Sequence, residues 1–367
     1  MVRKLSIAVG AVLALCCGSA AMAGKTRNVV LIVCDGLRPE EVFTGAEEAL
    51  LDDKIGGSWI TEAEMRQLYW DPDPKVRRQR VLPFIWSRVG TQGQLFGNAL
   101  EGSSAKVTNP FWFSYPGYNE MISGIGDPRI DDNKYPPNPN LNVFEWLAGR
   151  PGYTGKVAVF GTWYKFHDIF NEQRSHLMIR AGATLVDATD TSPRGRLLQQ
   201  LSRTTTRLEV EDPYDSFLNV SLLDYLQRHR PRVLFVGYGD TDSWAHTGRY
   251  DLVLETAHTF DSYVEELWNR MQALPEYKDK TTFIITADHG RGHGPVDWKE
   301  HGIEQPGSEN IWIAILGPDT PPLGERHNVQ AVTQSQLAAT IAALLGEDFR
   351  AAVPKAALPL LDAMAAP

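Results

Sequence analysis

Cysteine is scarce: the 367-residue chain has three, at positions 16, 17 and 34. Cys16 and Cys17 fall in the stretch "LSIAVGAVLALCC", whose basic start "MVRK" and following "AMA" give residues 1–23 the pattern of a cleaved export signal. An N-terminal membrane anchor is the alternative, but the apolar stretch is short for a bilayer crossing. The two cysteines lack the small residues expected before a lipoprotein cleavage site. After cleavage behind Ala23 only Cys34 remains, which excludes an intrachain disulfide and leaves stability to the core. A periplasmic or secreted location is therefore expected, and a disulfide-dense secreted module is not. Basic runs are also missing. Cleavage removes Arg3 and Lys4 and no acid, so a net charge of -9 becomes -11, and no nucleic-acid surface is expected. No further membrane segment, internal repeat or low-complexity tract stands out beyond an Ala/Pro-rich tail at 351–367.

Short β-branched runs are present: "NVVLIVCDG" (28–36), "KVAVFGTW" (156–163), "RVLFVGYGD" (232–240), "TTFIITADHG" (281–290) and "NIWIAILGP" (310–318). They are continuously apolar, as strands buried on both faces are. The segments 250–274 and 334–346 carry apolar residues near helical spacing. This alternation predicts an α/β fold, a central mostly parallel sheet flanked by helices on both faces. One catalytic domain over 24–350 is expected, with a cap or insertion at about 165–230. The stretches 126–140 and 186–215 read as loops.

Three of the five runs end in acids: Asp35, the pair Asp240 and Asp242, and Asp288 followed by His289. Ligand sites in open α/β sheets lie beyond the carboxyl ends of strands. Carboxylates gathered there repel one another unless cations compensate them. Asp and Gly also simply favour turns, so one such end alone means little. Asp242 and His246 stand four apart, on one face of a helical turn, suited to a cap, a hydrogen-bonded pair or two ligands of one ion. His301, before the last strand, is a further candidate, with His293 in "HGRGH" as its competitor. In "NPFWFSYPGYNEMISG" (109–124), Ser114 precedes Pro116 at the start of a short helix ending at Gly124. A serine there caps a helix, or presents a hydroxyl beside N–H groups that attract an anion, or both.

In order and spacing these pieces resemble the alkaline phosphatase superfamily, particularly its nucleotide pyrophosphatase/phosphodiesterase-like branch. The residues carrying the resemblance are Asp35 in "CDG", Ser114 in "SYPGYNEMISG", Asp242 and His246 in "DSWAH", Asp288 and His289 in "ADHG", and His301 in "EHG"; they span 28 to about 318. The resemblance implies two divalent ions, zinc by the mixed imidazole and carboxylate donors, with manganese as the alternative. One would be held by Asp242, His246 and His301, the other by Asp35, Asp288, His289 and the Ser114 oxygen. It further implies that Ser114 is a nucleophile forming a phosphoserine that water hydrolyses. The implied activity is phosphoric ester hydrolysis on a small-molecule phosphate ester, with a phosphomonoesterase or broad phosphatase slightly ahead of a phosphodiesterase.

The sequence also departs from that pattern. Gly117 and Tyr118 stand where the branch has Asn-His, and Asn133 or Asn138 is the nearest match for its phosphate-contacting asparagine. Lys165 and Arg174 could hold the extra charge of a monoester, and Trp163 could line a pocket; surface solvation and core packing are their ordinary uses. A sulfatase is disfavoured because Tyr118 occupies the position of the arginine in its nucleophile motif. Export and the "SYPG" turn disfavour a phosphosugar mutase. A metal-stabilised binding protein without turnover is the alternative of another class.

Overall fold

The computed structural model describes residues 24–209 and 211–365; the predicted export signal lies outside them. Eleven strands are present among the described residues: β1 (Asn28–Cys34), β2 (Gln94–Phe96), β3 (Ala105–Lys106), β4 (Val157–Gly161), β5 (Met178–Ala181), β6 (Val233–Tyr238), β7 (Thr281–Thr286), β8 (Asn310–Ile311), β9 (Ile313–Leu316), β10 (Gly324–Glu325) and β11 (Val332–Thr333). Eight form one sheet in the order β10-β2-β9-β7-β1-β6-β4-β5, and β11-β3-β8 form a small second sheet. The block β7-β1-β6-β4-β5 is parallel throughout, while β9 runs antiparallel to both β7 and β2.

β1, β6 and β7 are buried along their whole length, which is why their sequences are continuous apolar runs rather than alternations. Alternate side chains of β1 still serve different cores. Val30 and Ile32 pack with Leu222, Leu254 and Phe260 on one face, and Val29, Leu31 and Val33 pack with Ile122, Phe144 and Ile341 on the other. The first face is covered by helices Asp215–His229 and Tyr250–Gln272, and the second by helices Ser114–Ser123, Val143–Ala148 and Gln336–Leu344. The expected α/β architecture, including the helices at 250–274 and 334–346, is the observed one.

One detail differs from expectation. The stretch 186–215 is not all loop: Pro193–Thr204 is helical, started by the Ser192 hydroxyl, which accepts from Gly195 N–H at 3.0 Å. A Ser-Pro pair is a helix start as well as a turn signal, and the polar composition hid it. Within 165–230, β5 is an edge strand of the main sheet. The tail from 351 is tied to the fold, with Leu360 N–H donating to Thr340 Oγ1 at 2.8 Å and Ala356 and Ala363 buried.

A buried carboxylate fixes one entry to the sheet that the sequence reading did not single out. Asp261 is fully buried and accepts from Phe84 N–H at 2.6 Å and Ile85 N–H at 2.8 Å, where the π-helical turn Ile85–Val89 begins. Asp261→Ala would strand both amides without water. Urea denaturation should show a loss of about 3 kcal/mol, from one to two unsatisfied buried groups. An unchanged midpoint and slope would contradict this role.

Candidate metal and nucleophile site

The register of the sheet assembles the site. Cys34 pairs with Tyr238, and Val33 with both Gly237 and Thr286, so the residues just beyond β1, β6 and β7 emerge side by side. Asp35, Asp242 and Asp288 therefore meet at one edge although they are far apart in sequence. Two sets of donor atoms converge there, each within 4.8 Å: Asp35, Asp288 and His289, and Asp242, His246 and His301. The His289 and His301 rings lie 4.0 Å apart, so the two sets are neighbours. His293, the competing imidazole, instead sits 3.0 Å from Glu40 and belongs to neither set.

In the first set, His289 Nδ1 lies 2.8 Å from the Gly290 carbonyl, which holds a proton on Nδ1 and makes Nε2 the atom a cation would take in place of its proton. That Nε2 faces Asp35 Oδ1 at 3.3 Å, Asp288 Oδ2 at 3.5 Å and Ser114 Oγ at 3.4 Å. Asp35 Oδ2 accepts from the Tyr118 hydroxyl at 2.9 Å, and Asp288 Oδ1 accepts from Gly36 N–H at 3.0 Å. The other oxygen of each, Asp35 Oδ1 and Asp288 Oδ2, is buried without a hydrogen-bond partner among the described residues. Burial, then the Asp35 charge, pushes the Asp288 carboxyl up to about 7 in the protein alone. Burial depresses His289, but Asp288 and Asp35 outweigh it and raise the ring to about 9.

In the second set, the Nε2 atoms of His246 and His301 are 3.0 Å apart, with Asp242 Oδ2 3.4 Å from the former and Asp242 Oδ1 3.6 Å from the latter. Burial, followed by the charges of His289, Arg291 and His246, holds His301 far below the usual imidazole range. It is thus neutral, the form that donates to a metal. Two facing imidazole nitrogens and orphaned carboxylate oxygens are what a divalent cation at each set would satisfy, so the donors fit the predicted group.

Ser114 is the first residue of helix Ser114–Ser123, and Phe113 occupies the N-cap with no side-chain cap. The serine hydroxyl therefore does not cap the helix and is left facing His289. The backbone before it is fixed by Glu120, whose buried carboxylate takes the N–H groups of Thr108 and Asn109 (2.8 and 2.7 Å) and of Ser335 (3.0 Å). Trp112, held by the Asn109 side chain, has a φ of 58°, strain of the kind found where a loop is over-determined.

The departures at Gly117 and Tyr118 have physical reasons. A Cβ at Gly117 would lie 2.4 Å from the Asp288 carbonyl, because the helix rests directly on the Asp288 backbone. Tyr118, fully buried, spends its hydroxyl on orienting Asp35. Arg291 was not foreseen, since "HGRGH" reads as a flexible turn. It is buried, with Nε donating to the Gly36 carbonyl at 3.2 Å, Nη1 to the Lys299 carbonyl at 2.7 Å, and Nη2 to the Asp242 carboxylate. It ties three donor-bearing loops together. An arginine directly after the Asp-His-Gly motif, flanked by Gly290 and Gly292, which permit close approach, was the available signal.

Ser114, Asp35, Asp242 and His246 open into one cavity of about 200 Å³. Asn133 and Trp163, two of the predicted substrate contacts, line it; Asn133 Oδ1 also accepts from Tyr115 N–H at 2.9 Å. Asn138, its rival, is fully buried and bonded to Asn119 and the Ile169 carbonyl. The predicted contacts Lys165 and Arg174 require correction. Lys165 pairs with Asp168 at 2.8 Å, and Arg174 pairs with Glu145 at 2.8 Å while bonding the carbonyls of Asn138 and Asn140. Both follow the commoner fate of a charged side chain near acids. Among the described residues no lysine or arginine lines the cavity, whereas Glu209, Asp212 and Asp240 do. Burial raises Asp240 to about 7 and Asp212 to about 6.

Residues 214–349, which hold Asp242, His246, Asp288, His289 and His301, match the Metalloenzyme superfamily. Among curated proteins, GPI ethanolamine phosphate transferase 1 of Emericella nidulans is 24% identical over 361 aligned residues, covering 88% of this chain and 33% of that protein. The chain thus spans about a third of the length of that relative. Among solved structures, a mutant of the alkaline phosphatase PafA superposes with a TM-score of 0.57 at 11% identity, covering 94% of this chain and 100% of that one. The phosphonate monoester hydrolase of Silicibacter pomeroyi gives 0.52 at 14% identity, covering 93% and 78%. A 2-O GAG sulfatase gives 0.51 at 14%, covering 92% and 72%. These likenesses do not single out the nucleotide pyrophosphatase/phosphodiesterase-like branch. Residues 214–349 thus match the Metalloenzyme superfamily, and the fold is the one seen in alkaline-phosphatase-like structures.

Proposed function

We propose that the protein is an exported phosphoric ester hydrolase that forms a phosphoserine on Ser114, with diesters its better substrates. One observation carries the reading: an uncapped serine hydroxyl at a helix start faces His289 Nε2 and shares a cavity with members of both donor sets. Asp35, Asp288 and His289 would hold one divalent ion, with Ser114 beside it, and Asp242, His246 and His301 the other. When bound, the ions supply Lewis-acid charge that lowers the serine pKa and neutralises phosphoryl oxygens.

The chain's own residues set the geometry. Ser114 Oγ loses its proton and bonds to phosphorus as the bond to the departing alcohol oxygen breaks, and that oxygen is protonated from solvent. Water then forms a bond to phosphorus, the Ser114 Oγ–phosphorus bond breaks, and the serine regains a proton. In the first turn of helix Ser114–Ser123 Pro116 has no N–H, Tyr115 N–H is bonded to Asn133 Oδ1 and Gly117 N–H to the Phe113 carbonyl, so the Ser114 N–H is the one that would favour a phosphoryl oxygen. Tyr118 and Arg291 keep Asp35 and Asp242 aimed while this happens. Export rests on the pattern of residues 1–23; no described helix is long and apolar enough to cross a membrane.

The cavity's charge distinguishes the ester classes. A monoester brings two negative charges to a wall of Glu209, Asp212 and Asp240 that offers no basic side chain, whereas a diester brings one. This departs from the slight preference for a monoesterase drawn from the sequence, since Lys165 and Arg174, which could have held the extra charge, pair with Asp168 and Glu145. With zinc supplied, bis(p-nitrophenyl) phosphate is expected to be cleaved with a kcat/KM about tenfold or more above that of p-nitrophenyl phosphate. A faster monoester would return the reading to a phosphatase, and turnover of p-nitrophenyl sulfate alone would make the protein a sulfatase.

A further inference from the structure

Helix Pro193–Thr204 carries a face that the fold leaves unused. Its inner side is accounted for: Leu198 packs against the core, Gln199 Nε2 donates to the carbonyls of Asp187 and Asp190 at 2.8 and 3.0 Å, and Gly195 leaves no room for a side chain against Asp190. A helix repeats every 3.6 residues, so Leu197 and Leu201 fall together on the opposite side, with Arg194 on one flank and Arg196 and Arg203 on the other. The two leucines are 56% and 46% exposed. Leu208, beyond the helix, is 37% exposed and lines the cavity that holds Ser114, so the segment reaches the cavity's rim.

Charge sets this face apart as well. Residues 191–208 hold four arginines and no acid, in a chain whose net charge is -9. None of the four forms an ion pair among the described residues: Arg196 donates to the Thr191 carbonyl and Arg207 to the Ser202 carbonyl, whereas acids claim Lys165, Arg174, Arg228 and Arg291. Exposed leucines between unpaired arginines are the pattern of a helix lying in a bilayer surface. The apolar side chains enter the acyl boundary while the guanidiniums reach headgroup phosphates. A second copy of the chain fits poorly, because a symmetric contact through this face sets arginine against arginine with no acid between them. A polyanion without an apolar phase would leave the leucines in water.

We infer that this helix docks the protein on a membrane with anionic headgroups, through Leu197, Leu201, Arg194, Arg196 and Arg203. The contact is peripheral, since no described helix is long and apolar enough to cross a membrane. An anionic surface repels the acidic remainder of the chain, so the helix also selects which side faces the lipid. The docking does not depend on the chemistry at Ser114, and its failure would leave the hydrolase reading where it stands.

Vesicle sedimentation tests this. Zinc-loaded protein, desalted so that no free cation bridges it to lipid, is spun with vesicles of phosphatidylcholine alone or with about 30% phosphatidylglycerol. Partitioning onto the anionic vesicles should exceed that onto the neutral ones by about tenfold or more. It should fall by a similar factor in Arg196→Gln with Arg203→Gln, and again in Leu197→Gln with Leu201→Gln. All four positions are exposed, so thermal unfolding of both double variants should match wild type. Lys75→Gln with Val76→Gln, exposed on a different helix, should leave binding unchanged. No binding to the anionic vesicles, equal binding to both lipids, binding that survives both pairs on the 193–204 helix, or an equal loss in the control pair would each overturn the inference. A dimer found without lipid and abolished by the leucine pair would overturn it too, assigning the face to a second copy.

Discussion

Ser114→Ala should lower kcat by about 10⁴-fold or more, the scale on which hydrolases lose a nucleophile, while zinc content and thermal unfolding stay as in wild type. The separation of these readouts follows from the geometry. Phe113 and not Ser114 occupies the N-cap, and among the described residues the serine hydroxyl has no hydrogen-bond partner closer than His289 Nε2 at 3.4 Å. Removing it thus deletes no cap and strands no buried donor. Mass spectrometry of wild type quenched during turnover should find phosphate on a peptide containing Ser114 and on no other. A variant keeping more than about a tenth of wild-type kcat would transfer the nucleophile's role to water and remove phosphoserine from the mechanism.

Stripping the metal should produce the largest change in stability. The protein alone leaves Asp35 Oδ1 and Asp288 Oδ2 buried and unpartnered, and sets two imidazole nitrogens 3.0 Å apart. A ligand present at a thousandfold excess over its Kd stabilises the folded state by about 4 kcal/mol. Chelation should therefore lower the unfolding free energy by about that amount for each ion held so tightly, and added zinc should restore it. Elemental analysis should count two ions per chain, falling to one or none in Asp242→Ala. Coincident unfolding curves with and without chelator would mean that the donor sets hold no ion in solution.

How much of this was readable beforehand depended on whether a residue's signal was local. The strands around Asp35, Asp242 and Asp288 announced themselves because burial on both faces forces unbroken apolar runs, and parallel pairing then put their ends together. His301 was separable from His293 only by its position before a strand. Arg291 and Tyr118 were missed for the opposite reason: their work is to hold other residues' side chains, and the partners lie 49 and 83 positions away. Lys165 and Arg174 were misread because a lone basic residue gives no sign of which acid will claim it. The short strands β2, β3, β10 and β11 carry too few residues for any periodicity to show. The helix at Pro193–Thr204 was masked by polar surface residues around its Ser-Pro start.

The position of β1 sets an order on biosynthesis. Both of its neighbours, β6 and β7, are made some two hundred and two hundred and fifty residues after it, as the pairings of Val29 with Val233 and Thr282 show. Until then an apolar segment with two unpaired edges has to be kept from other chains, a hazard for any slow, long-range topology. A fragment ending before residue 281 would own Ser114, Asp35, Asp242 and His246 and still have no seat for either cation. Chemical competence in this polypeptide thus arrives all at once, with the closing of its central strand.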